Sequence, residues 1–328
     1  MLPTSRIDAH VHWLPASFLE ALARRAAPPR LVRSDDGSAV DCGRGLVYPL
    51  LPAMTDLREH ERRLTQAGFT GAILGATPPG LDELDPGEAV AVARACNDEL
   101  AAVPSVSNGY FAGLAMLPLG LPEEAAAELR RSAALGIRGA QLFSSVQGRS
   151  LDEDDFRVVF DAAAELDVAI VLHPTFPAET RSLSAYGLVR TVGFLFDTTV
   201  CALRLVFSGL YERHPGFKLV VPHVGSLIPY ILPRIDYESE LMGAASHLAA
   251  SPSEYLRRLY VDSVCLWPPA LRMALDVFGA DRVLLGTDTP FWDVGRGLET
   301  IEALDLPESQ LESICSANAQ RLFGAFAD

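Results

Sequence analysis

The sequence is short of cysteine, short of basic residues and free of long apolar runs, and each shortage removes a class of protein. Its five cysteines (Cys42, Cys96, Cys201, Cys265 and Cys315) are scattered, odd in number and form no CxxC pair. Neither a disulfide framework nor a thiolate zinc site is expected, and the five read as small buried apolar residues of a reducing, cytoplasmic setting. Lys and Arg number 27 against 42 Asp and Glu, a net charge of −15. Binding a nucleic-acid backbone needs clustered cations, so nucleic acid is disfavoured as a partner. A small anionic substrate is not, because a pocket can be locally positive on an acidic protein. No stretch of about 20 apolar residues lacks charge or proline, so no membrane partner is expected. The opening MLPTSRIDAH carries no apolar leader segment.

What is present is a rhythm. Hydrophobic residues make up 49% and charged residues 21% of the 328, the balance of a folded chain. Short β-rich apolar runs at 6–13, 69–76, 110–117, 137–143, 168–173, 218–223, 260–264 and 283–287 alternate with helical patterns. The helices are expected at 55–67, 86–103, 122–135, 151–166, 198–212, 227–241, 269–278 and 307–323. Strands in βα alternation predict an α/β fold, a single (β/α)8 TIM barrel spanning 1–328 with its site at the C-terminal strand ends. Residues 28–53 break the rhythm with Gly, Pro and an SDDGS turn. They read as a small β-rich insertion after the first strand, a flap over the barrel mouth.

The polar residues fall at those strand ends. His10 and His12 lie two apart in HVH, so a strand sends both imidazoles to one face. His173 closes VAIVLH, His223 closes KLVVPH, and Asp288 follows VLLGT. One histidine after one strand is commonly structural; five such groups at four strand ends are not readily explained that way. Three imidazoles and a carboxylate suit Zn2+, Mn2+ or Fe2+ and leave room for an acidified water. The fourth strand, IRGAQLF, has no lysine at its end, so no carbamylated lysine bridges two ions and one ion is favoured. Asp8, two residues before His10, reads chiefly as structural. His60, His214 and His247 read as surface residues, and Asn318 as a residue that docks the last helix.

RIDAHVHWLP, VLHPTF, SGLYERHPGFKLVVPHVGSLIPYILPRID, YVDSV, DRVLLGTDTPF and NAQRLFG together resemble the amidohydrolase superfamily. Within it the chain resembles the aminocarboxymuconate-semialdehyde decarboxylase branch of metal-dependent decarboxylases. The resemblance spans almost the whole chain. It implies that His10, His12, His173 and Asp288 are metal ligands, with Zn2+ favoured by the two-histidine first strand. It implies that His223 is the catalytic histidine, working with Asp288 on a metal-bound water. It also implies a homodimer in which Arg234 reaches the partner's site to bind a carboxylate. Arg44 in the flap, and Phe176 and Phe291 after two of the ligands, are the other expected substrate contacts. Two departures stand out. Val224 and Ser226 occupy positions where the family often has glycine, and Met242 stands where a second arginine is expected, which weakens the case for semialdehyde-type substrates.

The implied activity is a non-oxidative decarboxylase of an aromatic or conjugated carboxylic acid; no redox or pyridoxal motif is apparent. The same residues also suit a hydrolase or hydratase acting on a related lactone, amide or ring-cleavage product. A catalytically silent metal-binding barrel is the third reading, disfavoured because all five positions carry competent groups.

Overall fold

Strands buried on both faces need cover on both faces, and each wall strand of this chain is followed by a helix. The computed structural model describes residues 2–34, 37–177, 181–324 and 326, with Ser34 and Arg181 as backbone only. The wall strands are β1 (Ile7–His12), β2 (Gly71–Gly75), β3 (Phe111–Gly113, resuming at Ala115–Met116), β4 (Gly139–Phe143), β5 (Ala169–His173), β6 (Leu219–Val221), β7 (Tyr260–Asp262) and β8 (Val283–Leu284). All pair in parallel, in chain order. Leu114 N donates to Leu74 O across the interruption in β3. The end segment beyond β8 returns to β1 through Ala9 N to Leu285 O at 2.7 Å and Asp288 N to His10 O at 2.9 Å. The wall therefore closes into the expected barrel. Ile7, Ala9, Ile73, Ala169, Val171 and Leu284 share an interior cluster, while the larger core lies between strands and helices.

The insertion carries three antiparallel strands, Arg30–Ser34, Gly37–Gly43 and Leu46–Pro49. Asp35 and Asp36 of the SDDGS turn lie outside the described residues. Asn318 is fully buried and donates to Ala280 O and Val283 O at 2.8 and 2.7 Å, docking the last helix beside β8.

Several expectations need correcting. The expected 168–173 and 137–143 strands form with slightly trimmed starts, but the 218–223 strand stops at Val221. Pro222 has no N–H to continue the ladder, and His223 turns away with φ 57°. The 307–323 helix forms over 308–323 as expected, widened by a π turn at Ser313–Ala317. The Ala16–Ala23 helix was not legible because its cap is remote. Glu99 accepts from the N–H groups of Ala16 and Ser17, both at 2.8 Å, and no side chain caps it locally.

His60 is the clearest error. It shares the inner face of the Leu57–Gln66 helix with Leu64 and is fully buried against Phe111, 5.7 Å between ring centroids. His214 instead pairs with Asp161 at 2.7 Å, half-buried, and His247 donates to Phe207 O at 2.6 Å. Burial pushes the His60 imidazole down to about 4. Its ring nitrogens make no well-formed hydrogen bond among the described residues, and the weak contact with the Ala53 backbone does not offset burial. The unfolded chain, with an ordinary histidine near 6.5, therefore binds the extra proton between about pH 4 and 6.5. The stability linked to a neutral His60 is complete above pH 6.5 and is lost as pH falls toward 4, on the order of 3 kcal/mol in all. In urea unfolding followed by circular dichroism, H60L is expected to flatten the pH 7-to-4 dependence by about that amount. An unchanged slope would refute the assignment.

Candidate active site

Plain alternation along β1 does not account for the positions of its histidines. Ile7 and Ala9 face the barrel interior, whereas Val11 packs in the outer layer. Pairing with β2 shifts register between Asp8 and Val11, and this irregularity resets the facing so that His10 and His12 point inward above Ile7 and Ala9. Asp8 does not hold an imidazole. Its carboxylate accepts from His10 N at 3.1 Å, Thr287 N at 3.0 Å and Thr287 Oγ1 at 2.5 Å, joining β1 to the segment after β8. Burial raises its carboxyl to about 7. On β5 alternation is strict: Ala169 and Val171 face inward, and His173 follows on the same face.

The other two groups come from strained turns. After β6, His223, Val224 and Ser226 have φ of 57°, 54° and 57°. A β-branched residue there costs on the order of 1–3 kcal/mol, which glycine would avoid. The turn is held by His223 N donating to Asp262 Oδ1 at 2.7 Å and Ser226 N to His223 O at 2.8 Å. Asp288 also has a positive φ, 60°. Gly286 opens the space beside it: a Cβ there would lie 3.1 Å from His10 Cβ and 3.0 Å from Asp262 Cβ.

The hydrogen bonds fix which imidazole nitrogen is free. Carbonyl and carboxylate oxygens can only accept, so the nitrogen facing each one carries the proton. His10 Nδ1 donates to Asp262 Oδ2 at 2.6 Å, His12 Nδ1 to Ala76 O at 3.2 Å, and His173 Nδ1 to Pro174 O at 2.7 Å. In the neutral tautomers these bonds imply, Nε2 is the nitrogen left for a cation, and these three residues can each place a ligand atom within 4.8 Å of the others. His10 Nε2 is buried without a partner among the described residues. His12 Nε2 stands 2.8 Å from Asp288 Oδ1, which also lies 3.6 Å from His10 Nε2. Two lone pairs at 2.8 Å repel unless a proton or cation lies between them. This donor set fits one divalent cation, with the Nδ1 bonds as the supports that metal-bound histidines ordinarily have.

Without an ion, the electrostatics are polarised. Burial opposes charging of His10, but the Asp262 hydrogen bond outweighs it and raises the imidazole to about 9. Burial pushes His12 down and His173 well below its ordinary value. Burial would raise Asp288, yet His12 and His223 hold its carboxyl well below the usual range. Asp262 is the functional residue that the sequence reading missed. It lay in YVDSV, and its signal was a carboxylate closing the seventh strand.

The ligand tips open into a cavity of about 700 Å3, with His12, His173, His223 and Asp288 among its lining. Tyr48 and Leu46 of the flap reach it, as do Phe291 and Trp292. Phe291 lies 5.4 Å from the His12 ring between centroids. The other expected substrate contacts stand further off. Phe176 is buried under Arg44, whose guanidinium is 5.4 Å from the ring centroid and 3.7 Å from Glu83; neither residue lines the cavity. Arg234 points outward and pairs with Glu238 at 3.2 Å. Cys265, unlike the other four cysteines, is only partly buried and lines the cavity. Arg190 lines it too and was not anticipated.

Residues 7–325 match the family model described as amidohydrolase. The 2-amino-3-carboxymuconate-6-semialdehyde decarboxylase of Dictyostelium discoideum is 29% identical over 248 residues, 73% of this chain and 68% of that protein. The crystal structure of 5-carboxyvanillate decarboxylase from Sphingomonas paucimobilis superposes with a TM-score of 0.86 at 26% identity, over 98% of this chain and 99% of that one. A dihydroxybenzoic acid decarboxylase from Polaromonas sp. JS666, solved with manganese and the inhibitor 2-nitroresorcinol, gives a TM-score of 0.81 at 27% identity, over 97% and 96%. The chain belongs to the amidohydrolase family, in the branch that holds the aminocarboxymuconate-semialdehyde and 5-carboxyvanillate decarboxylases.

Proposed function

We propose that this chain is a metal-dependent, non-oxidative decarboxylase of an aromatic or conjugated carboxylic acid. The observation that carries this reading is the convergence of three imidazoles and Asp288 on the floor of a cavity walled by aromatic side chains. His10, His12, His173 and Asp288 would hold the ion. When bound there, it supplies Lewis-acid polarisation of nearby oxygen atoms. We take the ion to be Zn2+, because three of four donors are imidazoles; the Polaromonas neighbour holds manganese.

The remaining work falls to the chain itself. The bond from the ring or conjugated carbon to its carboxylate breaks, CO2 leaves, and the carbon keeps the electron pair and gains a proton. His223 is placed to deliver that proton. Its Nε2 is 3.9 Å from Asp288 Oδ2, on the cavity side of the site. The buried Nδ1 has no partner among the described residues. Apolar cavity walls disfavour a carboxylate relative to neutral CO2, which helps the departure.

We also propose a homodimer built on the Ile228–Met242 helix. Tyr230, Arg234, Tyr237 and Leu241 follow one another at spacings of four, three and four, which puts them on one face. Tyr230, Tyr237 and Leu241 are 78%, 66% and 65% exposed, an apolar stripe that a second copy would cover. Arg234, at its centre, would exchange Glu238 for a carboxylate in the partner's site.

Three outcomes are expected. In D2O the product should carry one deuterium on the carbon that lost CO2, and H223N should lower turnover about 100-fold or more without altering the circular dichroism spectrum; full turnover by H223N would refute the role. Elemental analysis should give about one divalent ion per chain; activity that persists after exhaustive chelation would rule out metal dependence. Mixing inactive R234A and H223N proteins should restore part of the activity if sites are shared, and none if Arg234 serves no partner.

A further inference from the structure

The fourth strand brings no candidate ion ligand to the site, yet it turns an amide toward it. Gln141 lies opposite Val171 in the register of β4 with β5, and Val171 belongs to the interior cluster, so Gln141 also faces the barrel interior. Two residues on, Phe143 meets the His173 ring edge-on, 5.6 Å between centroids. Gln141 is buried and does not line the cavity. Its Nε2 donates to Ala76 O at 2.7 Å, reaching from β4 to the end of β2. That same oxygen accepts the Nδ1 proton of His12 at 3.2 Å.

The three imidazole supports are unequal. His10 leans on the Asp262 carboxylate at 2.6 Å, and Asp262 is itself fixed by the N–H groups of His223 and Val264. His173 uses the carbonyl of the next residue in the chain, at 2.7 Å. His12 has a backbone carbonyl 64 residues away, at the longest distance of the three. A carbonyl held by one long bond is free to tilt with its peptide plane, and the hydrogen bond to the imidazole weakens as it does. The shorter bond from Gln141 removes that freedom. The competing arrangement is close at hand, because Asp288 Oδ1 lies 2.8 Å from His12 Nε2. A ring proton placed there would occupy the atom a cation needs. A fixed Ala76 carbonyl gives the proton its place on Nδ1 instead.

The chain makes room for this amide. Gly75 pairs with His12 in the register of β2 with β1, and its carbonyl accepts from Trp13 N at 3.0 Å. A Cβ on Gly75 would collide with Gln141 Oε1. Gly75 has no left-handed φ, so the approach of the amide, not the backbone, calls for glycine there. Resting on the reading of His10, His12, His173 and Asp288 as an ion's donors, we propose that Gln141 is a positioning residue for His12. It fixes the Ala76 carbonyl that orients the imidazole, and so strengthens cation binding without touching cation or substrate.

The test reads the ion rather than turnover. Metal-stripped protein is titrated with Co2+ against a chromophoric chelator, and its unfolding in urea is followed in parallel. Q141M keeps the length of the side chain and removes the donor; it is expected to weaken Co2+ binding about tenfold or more. G75A should weaken it in the same way, because its methyl meets the flexible end of Gln141 and pushes the amide off Ala76 O. This second variant keeps the glutamine and tests the same bond should Q141M fold poorly. In proton NMR of the Co2+-loaded wild type in water, the Nδ1 protons of His10, His12 and His173 are expected as three shifted, exchangeable signals. In Q141M one of them should exchange faster with solvent while the other two stay as they were. A Q141M that unfolds at lower urea but binds Co2+ as tightly as the wild type would make Gln141 a packing residue and overturn the inference, as would equal loss of all three signals. One ion per wild-type chain with unaltered affinity in both variants would overturn this inference and leave the ion site standing. A wild type that takes up no Co2+ would overturn both.

Discussion

Asp262 joins the two halves of the site. One oxygen takes the Nδ1 proton of His10 and thereby aims the Nε2 lone pair at the other ligands; the other oxygen takes the backbone N–H of His223 and also that of Val264. One of the candidate metal-holding side chains and the turn carrying His223 thus hang from a single carboxylate. Replacing it with an apolar group would leave His10 free to change tautomer and would release a turn that already runs through unfavourable backbone angles. The strain at Val224 and Ser226 is tolerable only because this anchor, together with the Ser226 N to His223 O bond, over-determines the turn.

The same economy appears in the way the first strand is built. A strand long enough to fill the barrel base with Ile7 and Ala9 would, by alternation, turn its histidines outward. The irregularity against β2 resolves that conflict within one element. Asp8, left beside it, is held by Thr287 and the His10 backbone, which offset only part of the burial that raises its carboxyl to about 7.

How much was legible varied with how local the cause was. VAIVLH and VLLGTD announced themselves because consecutive buried residues and the polar tip lie side by side in the chain. The five candidate groups from His10 to Asp288 stood out for that reason, and the inserted strands of 28–53 were signalled by their turn residues. The Ala16–Ala23 helix was missed because Glu99 caps it from another helix. His60 was misplaced because a histidine among charged neighbours looks solvated until Phe111 closes over it. Arg190 was not anticipated at the cavity, since only the fold brings this exposed arginine to its edge. Asp262 needed two partners, one of them 252 residues away.

The barrel is sealed at the place where the chemistry sits. Asp288 N bonds to His10 O, and His12 meets Asp288 across a separation of 276 residues. Segments 276 residues apart must therefore find one another before the four side chains exist in one place. During synthesis the amino-terminal histidines spend most of their time without their carboxylate partner. A cation held by these four side chains would on this account be captured late in folding, after the segment beyond the eighth strand has docked on β1.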